Sequence, residues 1–222
     1  MTVTSRLGYK LGALTFGAST WNCSKAKRLF DLVLAAALLI LASPIMLAVA
    51  VIVKLSSRGP IFYLQRRVGR DGREFQLIKF RTMVDGGRIG PRITRAGDPR
   101  ITATGRLLRQ WKLDELPQLL NVVRGEMSFV GPRPDLAEYL VSLDSEHRKI
   151  LKLPPGLTGA ASLHYRDEEK LLSRVPEGEL QRFYCAQVLP DKVRIDLQYA
   201  RNAGLMSDLS ILFRTIRMIF HH

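Results

Sequence analysis

The sequence contains very little cysteine. Only Cys23 and Cys185 occur among 222 residues, they lie far apart, and neither belongs to a Cys-x-x-Cys pair. A small disulfide-stapled domain needs several cysteines, and a structural zinc site usually needs closely spaced pairs of them. The cysteine content therefore argues against both and is typical of a protein kept in a reducing compartment.

Acidic residues are also scarce relative to basic ones. The chain has 20 Asp and Glu residues against 34 Lys and Arg residues, a formal net charge of +14, and residues 1–28 contain no acid. Such a charge calls for an anionic partner: nucleic acid, acidic lipid or a phosphorylated substrate. Because no RNP, zinc-finger or helix-turn-helix pattern accompanies the charge, we expect no nucleic acid partner.

One long stretch lacks charge altogether. Between Asp31 and Lys54 lie 22 uncharged residues, which is long enough to cross a bilayer. No small-x-small cleavage site follows the stretch, so removal as a signal peptide is not expected. Basic residues flank it on both sides, namely Lys25, Lys27 and Arg28 before it and Lys54 and Arg58 after it.

Ser43-Pro44 divides this stretch into residues 32–43 and 44–53, which are 12 and 10 residues long. Proline removes a backbone donor and kinks or breaks a helix, and a neighbouring serine can bond the carbonyl that is freed. Each half reaches roughly 15–18 Å, about half of a ~30 Å hydrocarbon core. Three readings remain open: a re-entrant dip, a kinked span and a buried core helix. The basic flanks favour the dip, which keeps both of them at the anionic cytoplasmic face.

The residue patterns predict an α+β fold in four parts. These are a basic arm (1–28), the apolar segment (29–58), a mostly helical soluble domain with a short β-hairpin (59–206), and a C-terminal amphipathic helix (207–222). That last helix either lies in a membrane interface or packs on the core. Predicted elements are strands at 61–64 and 74–83 around a Gly-rich turn, helices at 104–111, from 114 to before Gly125 and at 135–151, and a loop at 153–167.

Adjacent carboxylates mark the most chemically informative stretch, Asp114-Glu115-Leu116-Pro117. Acidic residues and proline are common in the first turn of a helix, so the stretch alone is weak evidence. The neighbouring sequence, however, is rich in cations of the kind that bind phosphates. A carboxylate beside cations is expected to stay ionised, and it can attack phosphorus or ligate Mg²⁺. The cations are Lys79, Arg81, Arg106, Arg109, Arg124 and Arg133.

Several motifs occur in a fixed order along the chain. They are Lys27-Arg28-Leu29-Phe30-Asp31 with Ser43-Pro44, Gly59-Pro60-Ile61-Phe62, Gln65-Arg67-Gly69, Lys79-Phe80-Arg81-Thr82-Met83, Asp98-Pro99-Arg100-Ile101-Thr102, Leu113-Asp114-Glu115-Leu116-Pro117-Gln118, and the run from Asn121 to Pro134. With these motifs the chain from Lys27 to about Phe213 resembles the bacterial sugar transferases, the small monotopic phosphoglycosyl transferases.

The resemblance implies an enzyme at the cytoplasmic face of the bacterial inner membrane, held there by a re-entrant helix that turns at Ser43 and Pro44. It implies transfer of a phosphosugar from a UDP-sugar to undecaprenyl phosphate, with Mg²⁺ and a covalent aspartyl intermediate. Asp114 is then the nucleophile, and Glu115 its partner in ordering the metal or the acceptor. Anionic inner-membrane lipids and a second copy of the chain are further expected partners. The residues expected to bind substrate are Lys79, Arg81, Arg109, Arg133, Arg166 and Asp208.

One region departs from the family pattern. The family commonly has a Trp and a Gln in the loop that follows Pro155-Gly156, and this chain has Ala160 and Ser162 there. The resemblance therefore carries no prediction of which sugar is transferred. The competing hypothesis is a non-catalytic, membrane-associated scaffold for polysaccharide assembly.

Overall fold

The apolar stretch forms one long helix, α1 (Lys25–Ser56), in the computed structural model, which describes residues 17–84 and 93–220. Helical backbone continues through Ser43-Pro44, so the predicted helix-break-helix is a single element with proline inside it. Pro44 has no N–H to offer the carbonyl of Ile40, and the Ser43 hydroxyl donates to that carbonyl at 2.8 Å. The predicted compensation by serine is therefore confirmed.

Helix α1 has fully buried residues only towards its two ends. Its buried residues are Lys27, Asp31 and Ala35 at the start and Val49 and Val53 towards the end, with none between 36 and 48. Only 11% of its most apolar 18-residue stretch is buried. By length and composition the helix could cross a membrane. This exposure argues against a buried core helix.

The predicted β-hairpin is confirmed. Strands β1 (Phe62–Val68) and β2 (Glu74–Phe80) pair antiparallel, with Phe62 opposite Phe80 and Val68 opposite Glu74. The first strand is longer than predicted and the second is shorter. The turn between them contains a short 3-10 helix, Arg70–Gly72.

Short helices make up most of the remaining domain. They are α2 (Ala103–Gln110), α3 (Leu119–Arg124), α4 (Ala137–Leu140), α5 (Ala160–His164), α6 (Glu168–Leu172), α7 (Leu180–Phe183), α8 (Leu189–Arg201) and α9 (Leu205–Phe220), with 3-10 helices at Thr20–Cys23, Leu113–Gln118, His147–Lys152 and Glu177–Glu179 and a π turn at Tyr184–Val188. Thr102, rather than Thr104, caps α2 by accepting a hydrogen bond from the Gly105 amide at 2.9 Å.

The prediction of one helix over 135–151 is wrong. The segment contains α4 and the 3-10 helix His147–Lys152, separated by turns. The Asp144 carboxylate accepts a hydrogen bond from the His147 amide at 2.8 Å. Aspartate and serine side chains compete with helical backbone bonding in this way, so the residues around Asp144 and Ser145 start a new turn instead of continuing the helix.

The predicted loop at 153–167 is also more ordered than expected. It holds α5 and a short strand, β4 (Gly156–Thr158), which pairs parallel with β3 (Ser128–Val130). The two backbone segments approach each other very closely. A side chain at Gly131 would overlap the carbonyl of Pro154, and one at Gly156 would overlap the Gly131 amide. Glycine is therefore required at this junction, which fixes the start of the Pro132-Arg133-Pro134 segment.

Two of the basic residues before the apolar stretch bind distant parts of the protein. Lys27 is buried and lies 2.5 Å from Asp208, while Arg28 donates to the carbonyls of Val122 and Val123 at 2.6 and 2.8 Å. Each therefore has a protein partner far along the chain, and the position of this basic flank at the membrane surface stays a prediction. Residues 19–28 pack on the domain, and residues 1–16 of the predicted basic arm lie outside the described residues.

Helix α9 packs one face on the core, and its place in a membrane interface stays a prediction. Its inner face buries Asp208 and Ile211, and Thr215 hydrogen-bonds Thr158 of β4 at 2.8 Å. Its outer face leaves an apolar stripe exposed. The stripe consists of Met206, Leu209, Phe213, Ile216 and Phe220, which are 42–78% exposed.

Three buried clusters connect these elements. The largest lies under α4, α7 and α8, the second joins the start of α1 to β2, α3, β3 and α9, and the third joins the end of α1 to β2 and α2. The hairpin, α2 and α3 are thus held against both ends of α1.

Candidate active site

Three of the predicted site residues meet at one carboxylate. Lys79 of β2 and Arg133, which follows β3, both reach Oε1 of Glu115, Lys79 Nζ at 2.9 Å and Arg133 Nη2 at 2.6 Å. The three residues come from different parts of the sequence, and the fold brings them together at the 3-10 helix Leu113–Gln118. The cluster of Glu115, Lys79 and Arg133 has a net charge of +1 and therefore suits phosphate.

Asp114 lies beside this cluster and is almost fully buried, with 6% of its surface exposed. Its Oδ1 atom accepts no hydrogen bond from any of the described residues. The backbone turns sharply just before it, because Lys112 has a φ of 55°, which is uncommon for a residue other than glycine. Strained backbone of this kind tends to occur at functional sites.

The two carboxylates have opposite electrostatic surroundings. Burial raises the pKa of Asp114, and the neighbouring Glu115 raises it further. Burial acts the same way on Glu115, but the charges of Arg133 and Lys79 outweigh it and hold the pKa of Glu115 well below its usual range. The expectation that a carboxylate beside these cations stays ionised therefore fits Glu115, whereas burial disfavours the charged form of Asp114.

The carboxylate of Glu115 affects the pKa of both cations in the cluster. Burial lowers the pKa of Lys79, against the opposing effect of Glu115. Glu115 raises the pKa of Arg133. Glu115 thus holds two cations in place next to a buried, unpartnered carboxylate oxygen.

Arg109 of α2 lies close enough to Asp114 for its charge to lower the pKa of that carboxyl, against the larger effect of burial. Its own ion pair is with Glu169. Arg109 is therefore at the edge of the site.

Arg81 holds the end of the long helix. Its Nη2 donates to the carbonyls of Val53 and Ser57 at 3.2 and 2.7 Å and to the Ser57 hydroxyl at 3.0 Å. Its Nε and Nη1 atoms are buried and have no partner among the described residues. These contacts link β2 to α1, and binding of substrate by Arg81 stays a prediction.

Asp208 and Arg166 are not brought into the cluster. Asp208 is fully buried and accepts hydrogen bonds from Lys27, from Trp21 Nε1 at 3.0 Å and from the Tyr199 hydroxyl. Arg166 is exposed and pairs with Asp167 at 3.1 Å. The structure therefore offers no contact in support of substrate binding at either residue, which stays a prediction.

A buried polar group behind Arg133 was not predicted. The Tyr184 hydroxyl donates to Asp135 and accepts from Lys192, and a cavity of about 30 Å³ is lined by Arg133, Lys192 and Asp196. Burial raises the pKa of Asp196 to about 7. These are single polar residues in otherwise unremarkable stretches, so no sequence pattern indicates them.

Comparison with known proteins gives the family. The bacterial sugar transferase family matches residues 22–222. The exopolysaccharide production protein ExoY of Rhizobium meliloti strain 1021 is 40% identical over 207 residues, which cover 86% of this chain and 84% of that protein.

Two further relatives are longer than this chain. The UDP-glucose:undecaprenyl-phosphate glucose-1-phosphate transferase of Escherichia coli K12 is 36% identical, and the match covers 86% of this chain and 39% of that protein. The UDP-N-acetylgalactosamine-undecaprenyl-phosphate N-acetylgalactosaminephosphotransferase of Aeromonas hydrophila is also 36% identical, with 87% and 43% covered. On these matches, the chain belongs to the bacterial sugar transferase family and is a phosphoglycosyl transferase.

Proposed function

We propose that this enzyme transfers a phosphosugar from a UDP-sugar to undecaprenyl phosphate and releases UMP, the step that starts assembly of a polysaccharide. The observation that carries the proposal is the buried Asp114, with an unpartnered Oδ1, beside the cluster of Glu115, Lys79 and Arg133. The names of the relatives support the substrate classes. Because relatives of equal identity are named for glucose and for N-acetylgalactosamine, no sugar is proposed.

In the first step a carboxylate oxygen of Asp114 forms a bond to the phosphorus that bears the sugar. The bond from that phosphorus to the oxygen bridging the two phosphates breaks, and its electron pair leaves with UMP. Arg133 and Lys79 hold positive charge next to the phosphates, where it offsets the negative charge that builds up on their oxygens. Asp114 attacks from a position that the protein has already desolvated.

In the second step an oxygen of undecaprenyl phosphate bonds to the same phosphorus. The bond between phosphorus and the Asp114 oxygen breaks, and the carboxylate is regenerated. Two steps suit two anionic substrates, because the donor and the acceptor never have to occupy the site at full charge together.

Asp114 and Glu115 are proposed to hold Mg²⁺. Within residues 17–84 and 93–220, no group of three or more His, Cys, Asp or Glu residues is placed to hold a metal ion. Mg²⁺ is commonly bound by one or two carboxylates together with substrate phosphates, and the unpartnered Oδ1 of Asp114 fits such a site. When bound, the ion would offset phosphate charge as a carboxylate approaches.

The contacts of α1 support a re-entrant helix at the cytoplasmic face of the inner membrane. The helix is about 48 Å long at ~1.5 Å per residue, longer than a ~30 Å hydrocarbon core. A straight span would place its ends on opposite sides of the bilayer. Yet Lys27 near its start contacts Asp208, and Val53 near its end contacts Arg81, both in one domain. A helix that enters and leaves by one leaflet satisfies both sets of contacts.

The exposed stripe of α9 is proposed to lie in the same leaflet. Arg214 and Arg217 adjoin the stripe, and the helix has no acid after Asp208, which is buried. Phe220 at its end contacts Trp111, whose ring centroid lies 6.2 Å away. An apolar stripe flanked by arginines and aromatic rings is typical of a helix in an anionic membrane interface.

The proposed turn of α1 at Ser43-Pro44 can be tested directly. Replacing Ser43→Ala and Pro44→Ala together restores the backbone donor at 44, so we expect a straighter helix that moves one terminus towards the periplasm. Labelling of a terminal tag by a reagent that does not cross the inner membrane measures this. Ser43→Ala alone is the control and is expected to keep the tag protected. Continued protection in the double variant would mean that Ser43-Pro44 does not turn the chain.

The activity is tested by incubating the purified protein with Mg²⁺ and a panel of UDP-sugars without acceptor. We expect stoichiometric UMP release and a mass increase equal to one phosphosugar with at least one donor. Addition of undecaprenyl phosphate should then remove the adduct. Absence of both signals for every donor would contradict the proposal and favour the non-catalytic scaffold.

A further inference from the structure

We propose that Arg67 of β1 is a positioning residue that fixes Arg133 against Glu115 by holding the backbone that follows Arg133. This inference rests on the proposed function, which gives Arg133 its place beside the substrate phosphates. Arg67 belongs to the Gln65-Arg67-Gly69 motif, for which the catalytic cluster provides no role.

The end of β1 contacts the segment after Arg133 at three points. Arg67 Nη1 donates to the carbonyl of Pro134 at 3.1 Å and lies 3.5 Å from Oδ1 of Asp135. The backbone amide of Val68 donates to the carbonyl of Asp135 at 3.1 Å. Both residues that follow Arg133 are thus attached to the hairpin that also carries Lys79.

The shape of the Arg67 side chain matters for these contacts. Its Nε and Nη2 atoms both donate to Oε1 of Gln65, at 3.1 and 2.8 Å, while Nη1 faces Pro134. Gln65 is two residues earlier on β1, so its side chain lies on the same face of the strand as Arg67. A planar guanidinium can serve both partners at once, whereas a lysine ammonium is a single point charge.

The sequence of the segment Pro132-Arg133-Pro134 explains why its backbone needs contacts from other parts of the fold. Prolines at 132 and 134 have no N–H, so the backbone on either side of Arg133 must be fixed through carbonyl groups. On its N-terminal side the Pro132 carbonyl accepts a hydrogen bond from the Gly156 amide at 2.8 Å. On its C-terminal side Arg67 provides the corresponding hold, and Arg133 projects from between the two attachments.

Asp135 connects the contacts of Arg67 to buried polar residues in the interior. The Tyr184 hydroxyl donates to the Asp135 carboxylate, with 3.1 Å to each oxygen, and Lys192 Nζ lies 3.4 Å from that hydroxyl. Arg67 offsets the charge of Asp135, and Tyr184 fixes its orientation. At least three of the five N–H groups of Arg67 are used by protein partners, which favours a positioning role over direct binding of substrate.

The test compares Arg67→Lys and Arg67→Met with Arg66→Met, a control at the neighbouring residue on the opposite face of β1, which is exposed. Formation of the phosphosugar adduct is measured in single turnovers over a range of donor concentrations. Both Arg67 variants are expected to lower the maximal rate by about 10–100-fold, as outer-shell partners commonly do, with little change in half-saturation. Arg66→Met should match the wild type. Full activity in Arg67→Lys would overturn the need for a guanidinium and with it the proposal.

A double-mutant cycle separates positioning from general support of the fold. In an Arg133→Ala background, Arg67→Met is expected to cost less than about 3-fold, because the residue through which it acts is gone. Independent, multiplicative losses would overturn the proposal. The same cycle on thermal unfolding midpoints needs no donor, and strictly additive decreases would overturn it too. Lack of adduct in the wild type counts against the proposed function, whereas multiplicative losses in an active protein count against Arg67 alone.

Discussion

Asp114→Asn is expected to abolish the phosphosugar adduct and to lower turnover by about 10⁴-fold or more, as loss of a covalent nucleophile does elsewhere. Asparagine has nearly the same shape but no carboxylate oxygen with which to attack phosphorus. Mass spectrometry after incubation with the donor, together with UMP release, measures the effect.

The same variant should fold as well as the wild type or better. Burial raises the pKa of Asp114, so the charged form costs free energy in the folded protein, and a neutral amide removes that cost at neutral pH. A loss of activity with an unchanged or higher unfolding midpoint therefore identifies chemistry. Asp167→Asn, an exposed carboxylate outside the cluster, is the matched control and should leave the adduct intact. UMP release near the wild-type rate in Asp114→Asn would show that another group attacks the phosphorus.

Local patterns in the sequence predict those parts of the fold that depend on near neighbours. The Gly-rich turn predicts the hairpin β1–β2, and Gly125 ends α3 with a φ of 81° as its position after the apolar repeat indicates. Ser43 bonds the carbonyl that Pro44 leaves free, which follows from their adjacency. Where local signals compete, as around Asp144, prediction of a single long helix is wrong.

The candidate site depends on distant pairings that local patterns do not contain. The sequence shows Lys79 and Arg133 as cations near the acidic pair, but it does not indicate that both bond the same oxygen of Glu115. The charges at the start of α1 show the same dependence on distant partners. The apolar stretch beside Lys27 and Arg28 predicts a membrane flank, and no local pattern indicates that their protein partners lie beyond residue 120.

Asp208→Ala is expected to destabilise the folded protein by about 3–5 kcal/mol, because it leaves the Lys27 ammonium buried without its counter-charge. Trp21 and Tyr199 lose an acceptor at the same time. For a chain of this size the unfolding midpoint should fall by roughly 10 °C. Glu146→Ala, which removes an exposed pair with Lys149, is the control and should change the midpoint little.

Activity in a stabilised background distinguishes the observed role of Asp208 from the predicted one. Lys27→Met combined with Asp208→Leu removes both buried charges, and replacing a buried ion pair by apolar residues commonly restores stability. If Asp208 only anchors α9 to the start of α1, the double variant should recover adduct formation as its unfolding midpoint recovers. A double variant that is stable but forms no adduct would instead support a role for Asp208 in substrate binding. The recovery is expected because the described partners of Asp208 attach α9 to the start of α1 and to α8. They are Lys27, Trp21 and Tyr199, and none of them belongs to the Glu115 cluster.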